Sequence, residues 1–330
     1  MISAGCGFEL ELAAESVDLV ELARKVSHYA LWVNFLTLIQ ISCFAAQVRH
    51  TDDSPAIAKL SMVGIGLQAL MDAYDSFLHL SLTATSHYMF NSFAVVSCLK
   101  FALFALLEVR YMLTIWRFRH RGIFTQGWDA VRHELSKVYA GFYGALVGGL
   151  VLIFSQLDHL DAIALVLQAY WVPQILHDAR HGSKSALTPH FLVGISVTRL
   201  LALLYLWGCP SGLFTGDLFP RLPNAPNPGL CVAAFAIQCL QAAIMVSQRI
   251  LGPRWFVPWM CLGDTYNYGR IVAVPPGTEC VICMGDIAAE ERHRCATTPC
   301  NHRFHLSCLE TWMDVKMECP TCRAELPPIV

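Results

Sequence analysis

The residues best suited to chemistry lie near the C-terminus, where cysteine and histidine recur at short intervals. Their order is Cys280-x2-Cys283-x16-Cys300-x-His302-x2-His305-x2-Cys308-x10-Cys319-x2-Cys322. Zn²⁺ takes four thiolate or imidazole ligands in a tetrahedron, and a two-residue gap lets one tight turn direct two ligands at one ion. Eight such ligands predict two closed zinc sites. Closed sites stabilise a fold and leave no open position for water, so this zinc is expected to be structural.

Two more side chains lie in the long gap between the second and third ligands. His293 and Cys295 are alternative ligands on composition alone, although neither fits the spacing as well as the eight. Two separate zinc fingers would use the ligands in sequential fours. The His-x2-His-x2-Cys block between the cysteine pairs suits an interleaved arrangement instead.

This ligand order resembles the RING family, in its form with two central histidines. The resemblance implies a cross-brace domain at 279–327 that unfolds without metal. It implies one site of Cys280, Cys283, His305 and Cys308, and a second of Cys300, His302, Cys319 and Cys322. It also implies ubiquitin-protein ligase activity without a covalent ubiquitin intermediate. A ligase of this kind binds a charged ubiquitin-conjugating enzyme and orients ubiquitin for attack by a substrate lysine.

Four neighbours of the ligands match the surface on which that family binds the conjugating enzyme. Ile282 precedes the second ligand, Trp312 follows the sixth by four residues, and Pro320 follows the seventh. Exposed apolar side chains of this size are sensible at an interface. Arg323 follows the last ligand at the family's linchpin position, where a guanidinium can hydrogen-bond both ubiquitin and the enzyme. The alternatives are that Trp312 packs a small core and that Arg323 is a solvated surface charge.

The rest of the chain has the composition of a membrane protein. Of its 330 residues, 55% are apolar and 15% are charged, against about 25% charged in soluble proteins. A net charge of −2 provides no basic field for nucleic acid, so nucleic acid is not expected as a partner. The cysteines outside the zinc set lie mostly singly in apolar runs, which favours a reducing, cytosolic C-terminal tail over a disulfide scaffold.

A helix needs about 20 mainly apolar residues to cross a bilayer, and the pattern predicts an all-α polytopic domain at 27–250 with seven spans. These lie at roughly 27–48, 60–84, 90–115, 137–157, 160–178, 190–208 and 229–250. Residues 1–26 are acidic and lack the basic start of a secretory signal, so we expect a short lumenal N-terminus and a first span that stays as an anchor. Residues 251–278 are interpreted as an interfacial linker, with Trp255, Phe256 and Trp259 as an aromatic belt or as ordinary linker packing.

The orientation follows from the distribution of Lys and Arg. With a cytosolic C-terminus, the cytosolic side holds Arg49, Lys59, Arg117, Arg119, Arg121, Arg132, Lys137, Arg180, Lys184, Arg249 and Arg254. The lumenal side then holds only Arg24, Lys25 and Arg221. Ubiquitin and its enzymes are cytosolic, so the expected activity favours the same orientation.

Several polar side chains lie inside the predicted spans and need partners there. Asp72, Asp75 and His79 share one helical face, and Lys100 lies at comparable depth on the next span if the two helices are antiparallel. Glu108, Arg199, Gln238 and Gln241 are further examples. The simplest interpretation is internal hydrogen bonding between helices. The alternatives are a polar groove that captures substrate transmembrane helices, or a proton or ion pathway; an intramembrane metal site has little support.

The membrane half also resembles a particular family. The segments Ser27–Trp32, Gln68–Tyr74, Leu107–Leu113, Pro173–Arg180, Ser196–Leu200 and Gly252–Pro258 are similar to the transmembrane ubiquitin ligases of the fungal Dsc complex (the Tul proteins) and the plant Flying Saucer proteins. The resemblance implies Golgi or endosomal residence and ubiquitination of membrane proteins in quality control. It also implies rhomboid-like and ubiquitin-like-domain partner subunits. Those relatives have a large lumenal region before the first span, which is expected to be absent here.

Two rival functions follow from the same features. The chain could be a seven-helix receptor or transporter whose RING serves only as an assembly scaffold, or an inactive subunit that pairs with another RING. The combination of Ile282, Trp312 and Arg323 argues against both. A cysteine-relay ligase would need an activated thiol outside the zinc set, and the sequence shows no activating neighbour for one.

Overall fold

The computed structural model describes residues 2–3, 8–9, 19–51, 55–84, 89–120, 123–124, 127–182, 186–210, 212–214, 225–257, 266–269, 275, 277–287, 295–313, 318–324 and 326–327. Nine helices precede the metal-ligand segment in these ranges: α1 Leu19–Thr51, α2 Met62–Thr83, α3 Phe90–Ala102, α4 Val109–Arg119, α5 Trp128–Ser155, α6 Leu160–Leu167, α7 Val172–His181, α8 Pro189–Gly208 and α9 Pro228–Leu251. A π-helical segment, Leu103–Glu108, joins α3 to α4 in one continuous rod.

Five of these rods have the length and apolar content needed to cross a bilayer: Val20–Thr51, Phe90–Arg119, Trp128–Ser155, Pro189–Gly208 and Pro228–Leu251. Helix α2 has 22 residues, which is long enough, but Asp72, Asp75 and His79 make it less apolar than the five. The mostly helical fold class is confirmed. The count of seven spans stays a prediction.

The predicted fifth span, 160–178, is not one continuous helix. It is broken into α6, which ends at Leu167, and α7, which begins at Val172. Pro173 lies in the first turn of α7, where its missing N–H costs no hydrogen bond, whereas inside a continuous helix it would remove one. The sequence prediction of an unbroken span is therefore corrected.

The remaining boundaries differ from the prediction mainly where a helix continues into polar sequence. Helix α1 begins before residue 27, and α5 begins at Trp128, nine residues before the predicted start at 137. Hydrophobicity marks the part of a helix that lies in lipid, and the hydrogen-bonded backbone can extend beyond it. Helices α2, α8 and α9 begin and end within two residues of the predicted spans.

The helices form a bundle in which α1 packs on α3 and α8, α2 packs on α3, and α8 packs on α9. Helix α5 is peripheral and packs against α2, where the Tyr74 hydroxyl donates to the carbonyl oxygen of Ala145. Helices α1 and α8 approach closely at Gly194. A Cβ at this position would lie 2.4 Å from Cys43 Sγ, so the absent side chain sets the distance between the two helices.

Arginines close the bundle at the end predicted to be cytosolic. Arg119 donates to the carbonyl oxygen of Leu60, and Arg249 donates to that of Leu187. Arg254 donates to the carbonyl oxygens of Ala179 and Arg180, at 2.9 and 2.8 Å. These carbonyls lie in connections or near a helix C-terminus, where backbone acceptors lack helical partners and a cation is favourable.

The metal-ligand segment is a small, separate arrangement of hairpins and one helix. Strands β3 (Glu279–Cys280) and β4 (Gly285–Asp286) pair antiparallel, as do β5 (Cys295–Thr297) and β6 (Arg303–His305), and α10 (Leu306–Met313) follows directly. A further hairpin, β1 (Ile2–Ser3) with β2 (Phe8–Glu9), lies near the N-terminus. Phe304 and Leu309 are fully buried in the core of the metal-ligand segment.

Candidate functional site

The eight predicted ligands form two groups, with the interleaved pairing expected from the sequence. One group is Cys280, Cys283, His305 and Cys308; the other is Cys300, His302, Cys319 and Cys322. In each group the four ligand atoms lie within 4.8 Å of one another. Among the residues that the structure describes, these are the two groups of Cys, His, Asp and Glu able to hold a metal ion.

The donor atoms fit zinc. Tetrahedral Zn–S and Zn–N bonds place a sulfur and a nitrogen about 3.6 Å apart. His305 Nδ1 lies 3.3 Å from Cys283 Sγ and 4.0 Å from Cys308 Sγ. His302 Nδ1 lies 3.4 Å from Cys300 Sγ and 3.5 Å from Cys319 Sγ. Both histidines therefore present Nδ1, and the two closed four-ligand sets hold two structural Zn²⁺.

Two turns of the same geometry place the cysteine pairs. In the first, Met284 has φ 57° and its N–H donates to the carbonyl oxygen of Cys280 at 2.7 Å. In the second, Arg323 has φ 60° and its N–H donates to that of Cys319 at 2.8 Å. The left-handed conformation is unfavourable for residues with a Cβ and persists where surrounding structure enforces it. Here each pair of cysteine ligands enforces it, so the second metal site fixes the backbone of Arg323.

The central ligands are held by a threonine between β5 and β6. The Thr298 hydroxyl accepts from the N–H of His302 at 3.0 Å and lies 3.1 Å from Cys300 Sγ. The backbone N–H of Thr298 donates to the carbonyl oxygen of His302 at 2.9 Å, and Asn301 between them has φ 65°. This tight turn aims Cys300 and His302 at the same point.

The two alternative ligands have different outcomes. Cys295 lies on β5 opposite His305 with 4% of its surface exposed, and it belongs to neither group. Burial raises the pKa of its thiol, which favours the protonated side chain of a core residue. The alternative that Cys295 is a ligand is wrong. His293 lies outside the described residues.

The residues matched to the conjugating-enzyme surface lie on three elements of the domain. Ile282 is in the first cysteine turn and Pro320 in the second, both half-buried, and Trp312 is half-buried on α10. The Trp312 indole donates to the carbonyl oxygen of Glu318 at 2.8 Å, which ties α10 to the second turn. Arg323 is exposed at the end of that turn. Their function stays a prediction.

Sequence reasoning missed two features of this domain. Val281 and Met284, beside Ile282, are 57% and 85% exposed and enlarge the apolar surface of the first turn. Tyr268 is 3% exposed in the domain core; its carbonyl oxygen accepts from the N–H of Thr297 at 2.9 Å, and its hydroxyl donates to Pro327. Burial raises the pKa of Tyr268. The folded unit thus includes Tyr266–Gly269, which lie inside the predicted linker 251–278.

The four polar residues predicted to meet inside the membrane, Asp72, Asp75, His79 and Lys100, lie in contact with one another. Lys100 Nζ lies 2.9 Å from Asp72 Oδ1 and 3.1 Å from Asp75 Oδ2, and it also donates to Gln40 Oε1 at 3.0 Å. His79 Nδ1 lies 3.1 Å from Asp75 Oδ1. The Asp–Lys pair proposed from sequence alone is therefore present, between antiparallel neighbours α2 and α3.

Three residues that the sequence did not connect extend this network. The Tyr29 hydroxyl lies 2.9 Å from His79 Nε2, and Arg199 donates to Asp72 Oδ2 at 2.5 Å. Glu108, at the end of the π-helical segment, lies 3.6 Å from Arg199 and is fully buried. Charged groups from α2, α3, α8 and the π-helical segment thus meet in one place, as buried charges require.

The break between α6 and α7 explains why two glutamines lie inside the membrane helix α9: they bond backbone groups at the break. The Gln241 side chain donates to the carbonyl oxygen of Gln168 at 2.9 Å and accepts from the N–H of Trp171 at 3.1 Å. Gln238 donates to the same carbonyl oxygen at 2.9 Å. Backbone groups freed from a helix inside a membrane need partners from the protein, and α9 supplies them here.

Two family models match the chain, and together they cover most of it. The "Transmembrane E3 ligase/DUF2921 transmembrane domain" matches residues 18–261, and the "Ring finger domain" matches residues 278–323. No solved structure matches the chain significantly.

Similar curated proteins match the chain over different lengths. Transmembrane E3 ubiquitin-protein ligase FLY2 of Arabidopsis thaliana is 38% identical over 328 residues, covering 98% of this chain and 57% of that protein. DSC E3 ubiquitin ligase complex subunit 1 of Schizosaccharomyces pombe is 26% identical over 191 residues, covering 52% of this chain and 26% of that protein. RING-H2 finger protein ATL34 of Arabidopsis thaliana is 46% identical over 52 residues, or 16% of each.

The chain spans little more than half the length of the curated relatives it matches along its whole length. Its membrane domain and its metal-binding domain are both matched, and the five apolar rods agree with a multi-pass membrane protein. The resemblance stated from the sequence is confirmed: this chain belongs to the transmembrane E3 ligase family that includes the Flying Saucer proteins and subunits A and 1 of the fungal Dsc complexes.

Proposed function

We propose that this chain is a RING-type ubiquitin-protein ligase embedded in a membrane. The observation that carries the proposal is the position of Arg323, an exposed guanidinium on a backbone that the second metal site fixes in a left-handed turn. Its planar, multi-donor head group suits simultaneous hydrogen bonds to ubiquitin and to the conjugating enzyme. Ile282, Trp312 and Pro320 supply the apolar surface on which that enzyme docks.

The chemistry needs no nucleophile from this chain. Outside the two metal groups, the described cysteines lie on membrane helices, at a helix end or in the RING core: Cys43, Cys98, Cys209, Cys231, Cys239 and Cys295. None is placed to accept ubiquitin in the cytosol. The contribution of the ligase is orientation, because a restrained thioester reacts faster with a lysine than a freely rotating one.

The proposed setting of the reaction is taken from the resemblance to the family. We propose that the RING is cytosolic, that the membrane is Golgi or endosomal, and that the substrates are membrane proteins under quality control. The charge bias of the connections supports the orientation. The similarity to DSC complex subunits supports a Dsc-type assembly, in which rhomboid-like and ubiquitin-like-domain proteins would be partners.

The main role proposed for the intramembrane network is to hold the helices in register. Contact with substrate helices is proposed as a secondary role. Asp72, His79 and Lys100 have only 1%, 1% and 5% of their surface exposed, so they line no open groove. The Asp75 side chain is 33% exposed and is the member of the set of four that can reach a neighbouring helix. If the network binds substrate transmembrane helices, Asp75 is therefore the residue proposed to contact them.

The docking surface can be tested with the full chain in lipid nanodiscs and a conjugating enzyme carrying ubiquitin through a stable linkage. Ile282→Ala should weaken binding about 30-fold, since truncating an interface anchor costs about 2 kcal/mol. Glu310→Ala, which changes an exposed residue of α10, should bind like the wild type.

The zinc content of each protein shows whether a loss of binding comes from a lost contact or from an unfolded RING. Loss of binding in Ile282→Ala counts only if two zinc ions per chain remain. Wild-type protein that holds both zinc ions and binds no member of a panel of charged conjugating enzymes would favour the rival function, an assembly scaffold.

A further inference from the structure

We propose that this ligase modifies lysines close to the membrane surface, because its RING is held on a short tether anchored by folded structure at both ends. The inference rests on the proposed function. It concerns which lysines of a membrane-protein substrate can reach the charged conjugating enzyme, and it does not depend on how the substrate is recognised.

The membrane end of the tether is fixed at Val257. After α9 the chain turns at Gly252, which has φ +105°, and folds back on the bundle. Arg254 makes its two hydrogen bonds to the end of α7, and the Trp255 indole donates to Ser247 Oγ at 2.9 Å. The N–H of Val257 donates to the carbonyl oxygen of Arg254 at 2.9 Å, which closes the turn.

The side chains of this turn place it at the level of the lipid head groups. Trp255 and Phe256 are 51% and 37% exposed, and their rings pack edge to face at 5.7 Å. Exposed aromatic side chains at the end of a membrane helix are typical of the interface between hydrocarbon and water. The predicted aromatic belt fits these two residues, and its third member, Trp259, lies outside the described residues. The tether thus starts at the membrane surface.

The RING end of the tether is fixed at Tyr266. Tyr266 and Tyr268 pack edge to face at 5.0 Å, and Tyr268 is buried in the RING core. The backbone bond from Thr297 and the Tyr268 hydroxyl bond to Pro327 hold this segment to β5 and to the end of the domain. Lengthening the tether from this side would expose Tyr268 and break both bonds.

Eight residues, 258–265, separate the two anchors. Whatever path they take, covalent geometry limits Val257 and Tyr266 to about 32 Å apart, since each residue spans at most about 3.6 Å. This limit is close to the thickness of one hydrocarbon core, about 30 Å. The RING, and the conjugating enzyme bound to it, therefore stay near the membrane face from which α9 emerges.

This restriction selects among acceptor lysines. A tethered reaction partner has a high effective concentration within its reach and almost none beyond it. Lysines in the first cytosolic residues after a substrate helix lie at the distance from the membrane that the RING can reach. Lysines far along an extended tail spend most of their time outside it. The substrate class is therefore membrane proteins with a membrane-proximal cytosolic lysine.

The test reconstitutes the full chain in liposomes with single-span reporters whose cytosolic tails carry one lysine each. The lysine lies about 5 or about 60 residues beyond the helix, a difference in maximum reach of well over 100 Å. We expect the near lysine to be ubiquitinated at least about tenfold faster. Insertion of about 20 Gly/Ser residues between positions 261 and 262 should reduce this preference to about fourfold or less.

The matched control carries the same Gly/Ser segment after Val330, which adds the same residues and leaves the tether unchanged. It should keep the wild-type preference. Discharge onto free lysine is measured in all three proteins and reports the proposed function separately. Normal free-lysine discharge with equal modification of both reporters, with no modification of the near reporter, or with a preference that the longer tether leaves unchanged would overturn the inference.

Discussion

At the scale of single residues, the proposed function depends on one arginine, Arg323, whose backbone is held in a turn at the second metal group. Met284 and Arg323 occupy equivalent positions after a cysteine pair, with φ 57° and 60°. In the first turn the position presents an exposed apolar side chain, and in the second it presents a guanidinium. The same left-handed turn thus exposes an apolar side chain at one metal group and a guanidinium at the other.

The assignment of the ligands makes a direct prediction about metal content. Cys322→Ser should lose at least one zinc ion per chain and unfold the RING, because closed zinc sites supply much of the folding free energy of so small a domain. Cys295→Ser should keep two zinc ions, since Cys295 is a core residue in neither group. Zinc per chain by elemental analysis, together with resistance of the RING to protease, checks both variants.

A full zinc complement in Cys322→Ser, or the loss of one ion in Cys295→Ser, would contradict the assignment. The eight ligands could be predicted from sequence because their spacing is dictated by tetrahedral geometry over short loops. The contribution of Tyr268 could not, because it depends on a contact with Pro327, 59 positions away, that no local pattern reveals.

At the scale of elements, the bundle tolerates a substitution only if the helices can still pack closely and buried backbone groups keep their hydrogen bonds. Gly194→Val should destabilise the protein by about 1–3 kcal/mol, because a side chain there overlaps Cys43 Sγ and forces α1 and α8 apart. Gly148→Val is the matched control on α5, where a Cβ meets nothing within 4 Å. Each variant is heated in detergent and then analysed by size-exclusion chromatography. The temperature at which its monodisperse peak is lost compares the stability of the two variants.

Equal midpoints for the two glycine variants would show that α1 and α8 do not pack as described. Sequence gave no reason to single out Gly194 from the other glycines of the spans. The distinction is one of tertiary distance, and it became visible only with α1 and α8 in place.

The broken helix makes a second prediction at this scale. Gln241→Leu should destabilise the protein by about 2–4 kcal/mol, since it leaves the N–H of Trp171 buried without its partner and removes one donor to Gln168. Cys239→Leu, an exposed position on the same helix, should change stability little. Thermal unfolding followed by tryptophan fluorescence compares the two; equal stability of both would mean that α9 does not support the break.

This break is also where sequence reasoning about elements failed. Residues 160–178 are apolar enough to resemble one span, and Pro173 alone does not decide between a kink and an end. The deciding contacts come from Gln238 and Gln241, about 70 positions later in the chain. The sequence located these glutamines inside a span without revealing which carbonyl they bind.

At the scale of the whole molecule, the buried charges bind four elements into one unit. Asp72 faces both Lys100 and Arg199, at 2.9 and 2.5 Å, with its side chain 1% exposed. Asp72→Asn should therefore cost about 3 kcal/mol, because it removes the carboxylate shared by two buried cations and leaves Lys100 with Asp75 and Arg199 with Glu108. The exposed pair Glu134–Lys137 provides the control, because Glu134→Gln should have almost no effect.

The same thermal assay in lipid nanodiscs compares these two variants. If Asp72→Asn were as stable as Glu134→Gln, the charges would not hold the bundle together. In that case an open groove or an ion pathway would become the better interpretation of the network. The Asp–Lys pair was predictable from helical spacing and an assumed antiparallel packing of the two spans. The participation of Arg199 and Glu108 was not, because it depends on the tertiary reach of the Arg199 side chain from α8.

The central claim is that this membrane protein promotes ubiquitin transfer, and single-turnover discharge tests it most directly. The full chain in lipid nanodiscs, with two zinc ions bound, is mixed with a charged conjugating enzyme and free lysine. We predict that the wild type accelerates discharge and that Arg323→Ala reduces the rate at least about tenfold, equivalent to about 1.4 kcal/mol. Zinc-loaded wild-type protein that accelerates discharge from no conjugating enzyme in a broad panel would contradict the account.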